Sequence, residues 1–287
     1  MVTRWSARAG AGASSRVQPH PQNRSFAWKA HTGPYRRVSE AQARSFDENG
    51  YFVLQNAFDA ATIARAIAEI DPFEQRTTEF LRAQEGGKLF IAQADAITFT
   101  PHLVTRSAWL RAFVSGPVFR DLVHDLIGPD VRLYWEQAVY KKPEPEREFP
   151  WHQDNGYTYV EPQEYLTCWL ALTDADERNG CPWVVPGLHR TGTIAHRYTE
   201  LGWQCLDEAP NAVPLPLRAG SIAVFSSLTP HRTGPNRTGA VRKAYIVQFA
   251  PDGACKVEQG ESGARRETPQ NEPDRQFEVL RRGEAVA

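Results

Sequence analysis

The run VRLYWEQAVYKK at residues 131–142 alternates like a strand and opens the second half of the chain. Further short apolar segments follow at residues 165–172, 183–185, 213–217, 221–225 and 241–249, with Pro and Gly turns between them. Strands this short and this closely spaced predict an all-β half, folded as a sandwich or barrel.

The chain upstream reads differently. Ser39 and Gln42 form the S-x-x-Q signature of a capping box. The helix it starts should run to about Glu48 and stop at Asn49-Gly50. A short strand is expected at residues 51–54. Asp59 should cap a second helix through Ile70, with Ala60, Ile63, Ala64 and Ile67 at helical spacing. Residues 74–106 carry no clear period. Gly86-Gly87 marks a turn there, with a strand expected at residues 88–92. Two more helices are expected at residues 107–114 and 117–127, with Pro117 in a first turn and Gly128-Pro129 as the stop. No Ser/Gly-rich spacer separates the halves. One domain, residues 39–250, is therefore expected, mainly β with packed helices. The Ile63/Ile67 and Leu122/Leu126 stripes should be buried against the outer face of its larger sheet.

The two ends look looser. The first 39 residues hold seven Lys or Arg and no acid, so the remainder carries 26 bases against 34 acids. Residues 1–38, with scattered Trp5, Phe26, Trp28 and Tyr35, are expected to be a loosely ordered basic extension. Residues 251–287 are expected to form a polar tail. A formal net charge of −1 argues against a nucleic-acid binder. No run of about 18 apolar residues appears, which argues against a membrane span. Cys168, Cys181, Cys205 and Cys255 form no C-x-x-C, and a cytoplasmic setting is expected. Oligomeric state is not legible.

The strongest chemical feature is Phe149-Pro150-Trp151-His152-Gln153-Asp154. In an extended segment His152 and Asp154 share a face, so one imidazole and one carboxylate can reach a single metal. H-x-D alone is weak, and its company raises it. His231 lies 79 residues later, just beyond an apolar strand, and Arg242 eleven residues beyond that. Two histidines and a carboxylate with open positions suit non-haem Fe(II) oxygen chemistry. A guanidinium at Arg242 can grip a carboxylate bidentately.

FPWHQD, then ERNGCPWVVPGLH at residues 177–189, then HRTGPN at residues 231–236, then Arg242 together resemble the phytanoyl-CoA dioxygenase family. The resemblance covers roughly residues 39–250. It implies an Fe(II)/2-oxoglutarate oxygenase on a double-stranded β-helix (jelly-roll, cupin-like) core. By the same resemblance His152, Asp154 and His231 would be the iron ligands. Arg242 would hold the distal carboxylate of 2-oxoglutarate, with Thr233 beside it. Gln137 and Trp169 match positions near the co-substrate. The implied reaction uses Fe(II), 2-oxoglutarate and O2, releases succinate and CO2, and hydroxylates a small or medium organic molecule. Related halogenating enzymes carry a small residue where this chain has Asp154, which favours hydroxylation, desaturation or ring closure.

Other residues are weighed against plain structural roles. Phe149, Tyr157, Tyr159 and Trp183 are candidate substrate-lining residues, although Tyr157 and Tyr159 would face away from His152 and Asp154 in a straight strand. Residues 88–100, with Gln93 and Asp95, can border the pocket. His189 is expected to hydrogen-bond in a turn, and Lys243 to be a solvated charge. Lys141 and Lys142 sit in a mixed run with Glu144, Glu146 and Glu148, expected to be a solvated loop rather than a dock for coenzyme A. Two alternatives stay open: a metal-binding member that does not oxidise, and a cupin-like metalloenzyme that does not use 2-oxoglutarate.

Overall fold

The computed structural model describes residues 17–260 and 263–286. Trp5 and the rest of the first sixteen residues lie outside the described part.

The helices follow their caps. Helix α1 (Glu40–Asn49) has the full capping box between Ser39 and Gln42 and ends at Gly50, whose φ of 84° suits glycine. Helix α2 (Ala60–Arg82) is capped by Asp59 but runs twelve residues past the expected end, through Pro72. Proline removes one backbone donor there. Packing holds the far half on. Leu81 is buried, Glu74 accepts from Thr98 and Thr78, and Asp71 accepts from Tyr140 Oη at 2.6 Å and Lys243 Nζ at 2.7 Å. Lys243 is thus an ion-pair partner of α2, not a solvated charge. Helices α3 (Ala108–Val114) and α4 (Pro117–Leu126) stand where expected, capped by Ser107 and begun at Pro117.

Ten strands frame the core. They are β1 (Tyr51–Leu54), β2 (Ile97–Pro101), β3 (Val131–Lys141), β4 (Phe149–His152), β5 (Leu166–Ala171), β6 (Pro182–Val184), β7 (Val213–Pro214), β8 (Ile222–Ser226), β9 (His231–Thr233) and β10 (Arg242–Pro251). The large antiparallel sheet has the order β1-β8-β5-β10-β3-β2 and continues into a short hairpin at Lys88–Leu89 and Ala92–Gln93. The small antiparallel sheet has the order β7-β6-β9-β4. The core is a jelly-roll, mainly β with packed helices.

The large sheet is buried on both faces, so central strands such as β5 and β8 read as nearly continuous apolar runs. Leu166, Cys168 and Leu170 of β5, with Tyr245, Val247 and Phe249 of β10, pack under Phe46, Ile63, Ile70, Phe119 and Leu122. Ile67 packs partly buried against the same core. Trp169, Ala171, Ala244, Ile246, Ala223 and Phe225 face the other way, onto Val184 and Cys181 of the small-sheet side. The functional side chains sit in this second layer.

Both ends depart from expectation. Residues 17–38 are folded onto the core. Trp28 Nε1 donates to Asp47 at 3.1 Å, His31 bridges Asp47 and the Leu126 carbonyl, and the Arg36, Arg37 and Val38 N–H groups donate to the Asp125 carboxylate. Buried carboxylates thus gather a segment whose own composition looked disordered. The C-terminal stretch is strand-rich. Cys255–Gln259 pairs with Arg265–Pro269 and with Val160–Glu161, and Glu278–Arg281 pairs with β3. Phe277, Val279 and Leu280 enter the helix-side core. Charged neighbours such as Glu278, ion-paired with Arg132 at 2.7 Å, hide that apolar signal in the sequence.

Candidate metal and co-substrate site

His152 closes β4 and pairs directly across from His231, which opens β9. Each imidazole is fixed by the backbone carbonyl two residues before it. His152 Nδ1 lies 2.8 Å from the Pro150 carbonyl and His231 Nδ1 lies 3.0 Å from the Thr229 carbonyl. A carbonyl only accepts, so Nδ1 carries the proton and Nε2 presents its lone pair. Burial, then the neighbouring His231, holds His152 well below the usual histidine range, so its ring is neutral.

Asp154 arrives by a different route from the one expected. The strand stops at His152, and Asp154 starts a single helical turn, Asp154–Tyr157. Its Oδ1 lies 4.0 Å from His152 Nε2 and 3.8 Å from His231 Nε2. The three ligand atoms fall within 4.8 Å of one another. Thr167 Oγ1 donates to the other oxygen, Oδ2, at 2.6 Å and leaves Oδ1 aimed at the gap. Two imidazole nitrogens and one oriented carboxylate fit a divalent iron.

The helical turn also decides the tyrosines. Tyr157 swings back over the site, edge-on to His152 with ring centroids 5.3 Å apart, and stacks on Phe149. Phe149 itself meets His152 edge-on at 4.7 Å and Phe99 at 5.8 Å. Tyr159 turns away and stacks on His20 at 4.7 Å. Trp183 lies opposite Arg232, which alternates with the inward His231, so it faces the outer side of the small sheet. Phe149 and Tyr157 are brought to the triad; Tyr159 and Trp183 are not. Of residues 88–100, Phe99 borders the site, Gln93 accepts from Arg147, and Asp95 pairs outward with Arg82.

On the large sheet Gln137, Ile246 and Trp169 form one cross-strand row on the inner face. Arg242 starts β10 and is only 1% exposed. Its guanidinium sits 5.1 Å from the Trp169 ring centre. One nitrogen donates to the Val139 carbonyl at 3.3 Å, while Nε and the other terminal nitrogen are buried with no partner among the described residues. Burial pulls this guanidinium down to about 10. Unpaired buried donors on a cation are costly, and a carboxylate would satisfy both at once.

Three supporting residues were not picked out in the sequence, and a fourth was assigned elsewhere. Thr167 and Gln248, which donates to Thr167 at 3.2 Å, are polar residues inside apolar strands, and that interruption was the available signal. His196 accepts from the Gln153 N–H at 2.9 Å and packs where a Cβ on Gly156 would sit. Lys141, assigned to a solvated loop, is buried on the inner face beside Arg242. His189 hydrogen-bonds in a turn, as expected: it sits in a short helical turn against Trp28 and bonds the Asp47 carbonyl at 3.2 Å.

The family model for phytanoyl-CoA dioxygenase (PhyH) matches residues 46–244, most of the chain. The chain belongs to the phytanoyl-CoA dioxygenase family. Phytanoyl-CoA dioxygenase domain-containing protein 1 of Mus musculus is 25% identical over 74% of this chain and 90% of the relative. A probable alpha-ketoglutarate-dependent hypophosphite dioxygenase of Stutzerimonas stutzeri is 23% identical over 73% of this chain and 77% of its own length. Among solved structures, the epimerase SnoN, in complex with Fe3+, alpha ketoglutarate and nogalamycin RO, superposes with a TM-score of 0.65 and 21% identity. That match covers 84% of this chain and 98% of SnoN. The phytanoyl-CoA dioxygenase-family chain is thus an oxygenase of the non-haem iron, 2-oxoglutarate-dependent class.

Proposed function

We propose that the protein is a dioxygenase that hydroxylates a small or medium organic molecule while 2-oxoglutarate is decarboxylated to succinate and CO2. One observation carries this reading. The His152–Asp154–His231 triad shares the inner layer with a buried arginine whose donors have no partner. His152, Asp154 and His231 would hold Fe(II), and Arg242 with Thr233 would take the distal carboxylate of the co-substrate. When bound, iron and the keto acid together supply the activation of dioxygen.

The chain's own residues do the rest. The two carbonyl-fixed imidazoles and the Thr167-held carboxylate set the metal's protein face before it binds. Trp169 and Ile246 wall the co-substrate side and exclude water. Phe149 and Tyr157 cover the other flank, with Tyr157 at 36% exposure forming the mouth where substrate would enter. Asp154 fills the position a halide would need, which favours hydroxylation or a related desaturation or ring closure.

The substrate class we favour is supported by the same rim, where Phe149 and Tyr157 are aromatic. Lys141 and Lys142, the candidates for binding a coenzyme A phosphate, are both engaged within the protein instead, Lys141 on the inner face and Lys142 against α2. Lys142 donates to Thr78 at 2.8 Å and lies 3.4 Å from Glu74. We therefore favour a substrate without coenzyme A. A reducing, cytoplasmic setting belongs to the same proposal and is supported by four free cysteines.

The test is 2-oxoglutarate turnover by the purified protein with Fe(II), read as succinate. His152→Ala should lower succinate formation by at least about a hundredfold, as expected when a metal ligand is lost. Undiminished succinate from that variant would overturn the proposal.

A further inference from the structure

Lys141 is 2% exposed, at the end of β3 and directly opposite Arg242 in register. Its ammonium donates to the Thr233 carbonyl at 3.3 Å, to Thr233 Oγ1 at 3.2 Å and to the Gly234 carbonyl. The stem runs beneath the Asn179–Gly180 turn. A Cβ on Gly180 would meet Lys141 Cδ at 3.1 Å and would crowd the Gly234 carbonyl. Gly180, at φ 83°, thus keeps this cradle open. Among the described residues neither Lys141 nor Arg242 has a carboxylate partner.

We propose that Lys141 is a positioning residue for the co-substrate: it orients the Thr233 hydroxyl towards a distal carboxylate held by Arg242. This rests on the 2-oxoglutarate reading above.

The hydroxyl carries the argument. Thr233 Oγ1 accepts from Lys141, so its own hydrogen must point elsewhere. No protein acceptor takes that hydrogen among the described residues. A carboxylate seated on the free Arg242 donors would lie beside it and take it. A hydroxyl that accepts from an ammonium is a stronger donor in turn, and the effect grows in a buried site. Two buried cations also oppose each other. Burial first, then Arg242, holds the Lys141 ammonium well below the usual lysine range. An anion seated on the open Arg242 donors, close to Lys141, relieves both costs, whereas a neutral chain end relieves neither. The arrangement therefore selects a 2-oxo acid with a charged far end.

The experiment is anaerobic calorimetric titration of Fe(II)-loaded protein with 2-oxoglutarate and with 2-oxopentanoate. The second acid keeps the chelating head and ends in a methyl group. Lys141→Met should weaken 2-oxoglutarate about tenfold to a hundredfold and leave 2-oxopentanoate within about twofold. Thr233→Val should show the same selectivity. The double variant should lose less than the two single losses combined, because one residue acts through the other. If Lys141→Met does not fold, Lys141→Gln and Thr233→Val carry the comparison. Equal weakening of both acids, or of neither, would overturn the proposal and leave Lys141 as a structural cap on two carbonyls. Wild-type protein that binds neither acid would instead sink the 2-oxoglutarate reading itself, and this inference with it.

Discussion

Thr167 and Tyr157 show what a single position can and cannot disclose. The H-x-D pair, the distant histidine and Arg242 were legible because their chemistry is narrow and their order specific. Thr167 was not, because one threonine in an apolar strand usually packs or bonds its own backbone. Here its hydroxyl fixes Asp154 Oδ2 at 2.6 Å. Thr167→Val should therefore keep the fold and weaken Fe(II) binding about tenfold to a hundredfold, the usual cost of losing a partner behind a ligand. Metal titration against a competing chelator checks this, and unchanged affinity would assign the hydroxyl to packing. Tyr157 and Tyr159 were indistinguishable by strand parity. The helical turn at Asp154–Tyr157 replaced that parity and sent the two rings in different directions. Lys141 was misplaced for a related reason. Its acidic neighbours signalled solvent, while its strand partner Arg242 lay 101 positions away.

Among elements, those with local caps were readable and those held by distant contacts were not. Ser39, Asp59, Ser107 and Pro117 mark helix starts by satisfying backbone donors or suiting a first turn, which needs no tertiary information. The second half of α2 lies behind Pro72, an ordinary stop signal. It persists because Asp71 and Glu74 are tied to Tyr140, Lys243, Thr98 and Lys142 on the sheet. The strand Glu278–Arg281 is the clearest omission. Leu280, 1% exposed, fills the helix-side core from what looked like a polar tail. Leu280→Ala should cost about 2–4 kcal/mol of stability, the range for an emptied buried leucine site. Urea unfolding measures it, and a loss below about 0.5 kcal/mol, typical of surface substitutions, would mean the strand contributes little to the core.

Taken as one molecule, the fold places two different polar systems on the two faces of the large sheet. The inner face carries the triad and the Arg242–Lys141 pair. The helix face carries Glu136, which accepts from the Val104 N–H at 3.2 Å and the Tyr245 hydroxyl at 2.8 Å. Burial pushes this carboxyl up to about 7 from an ordinary 4.5, against the pull of those hydrogen bonds. The folded state then keeps a proton that the unfolded chain has already released. Glu136 should therefore make stability fall as pH climbs from about 4.5 to about 7, levelling off above. Glu136→Gln should remove most of that fall, and thermal melts across the window check it. Wild-type and variant curves that stay parallel would contradict it. The central claim concerns the other face, and anaerobic titration of the apoprotein with Fe(II) and 2-oxoglutarate, followed by visible absorption, tests it without knowledge of the substrate. The account predicts a weak charge-transfer band that needs both additions and is lost in Arg242→Met at the same concentrations. Iron that binds without any band on adding 2-oxoglutarate would contradict it.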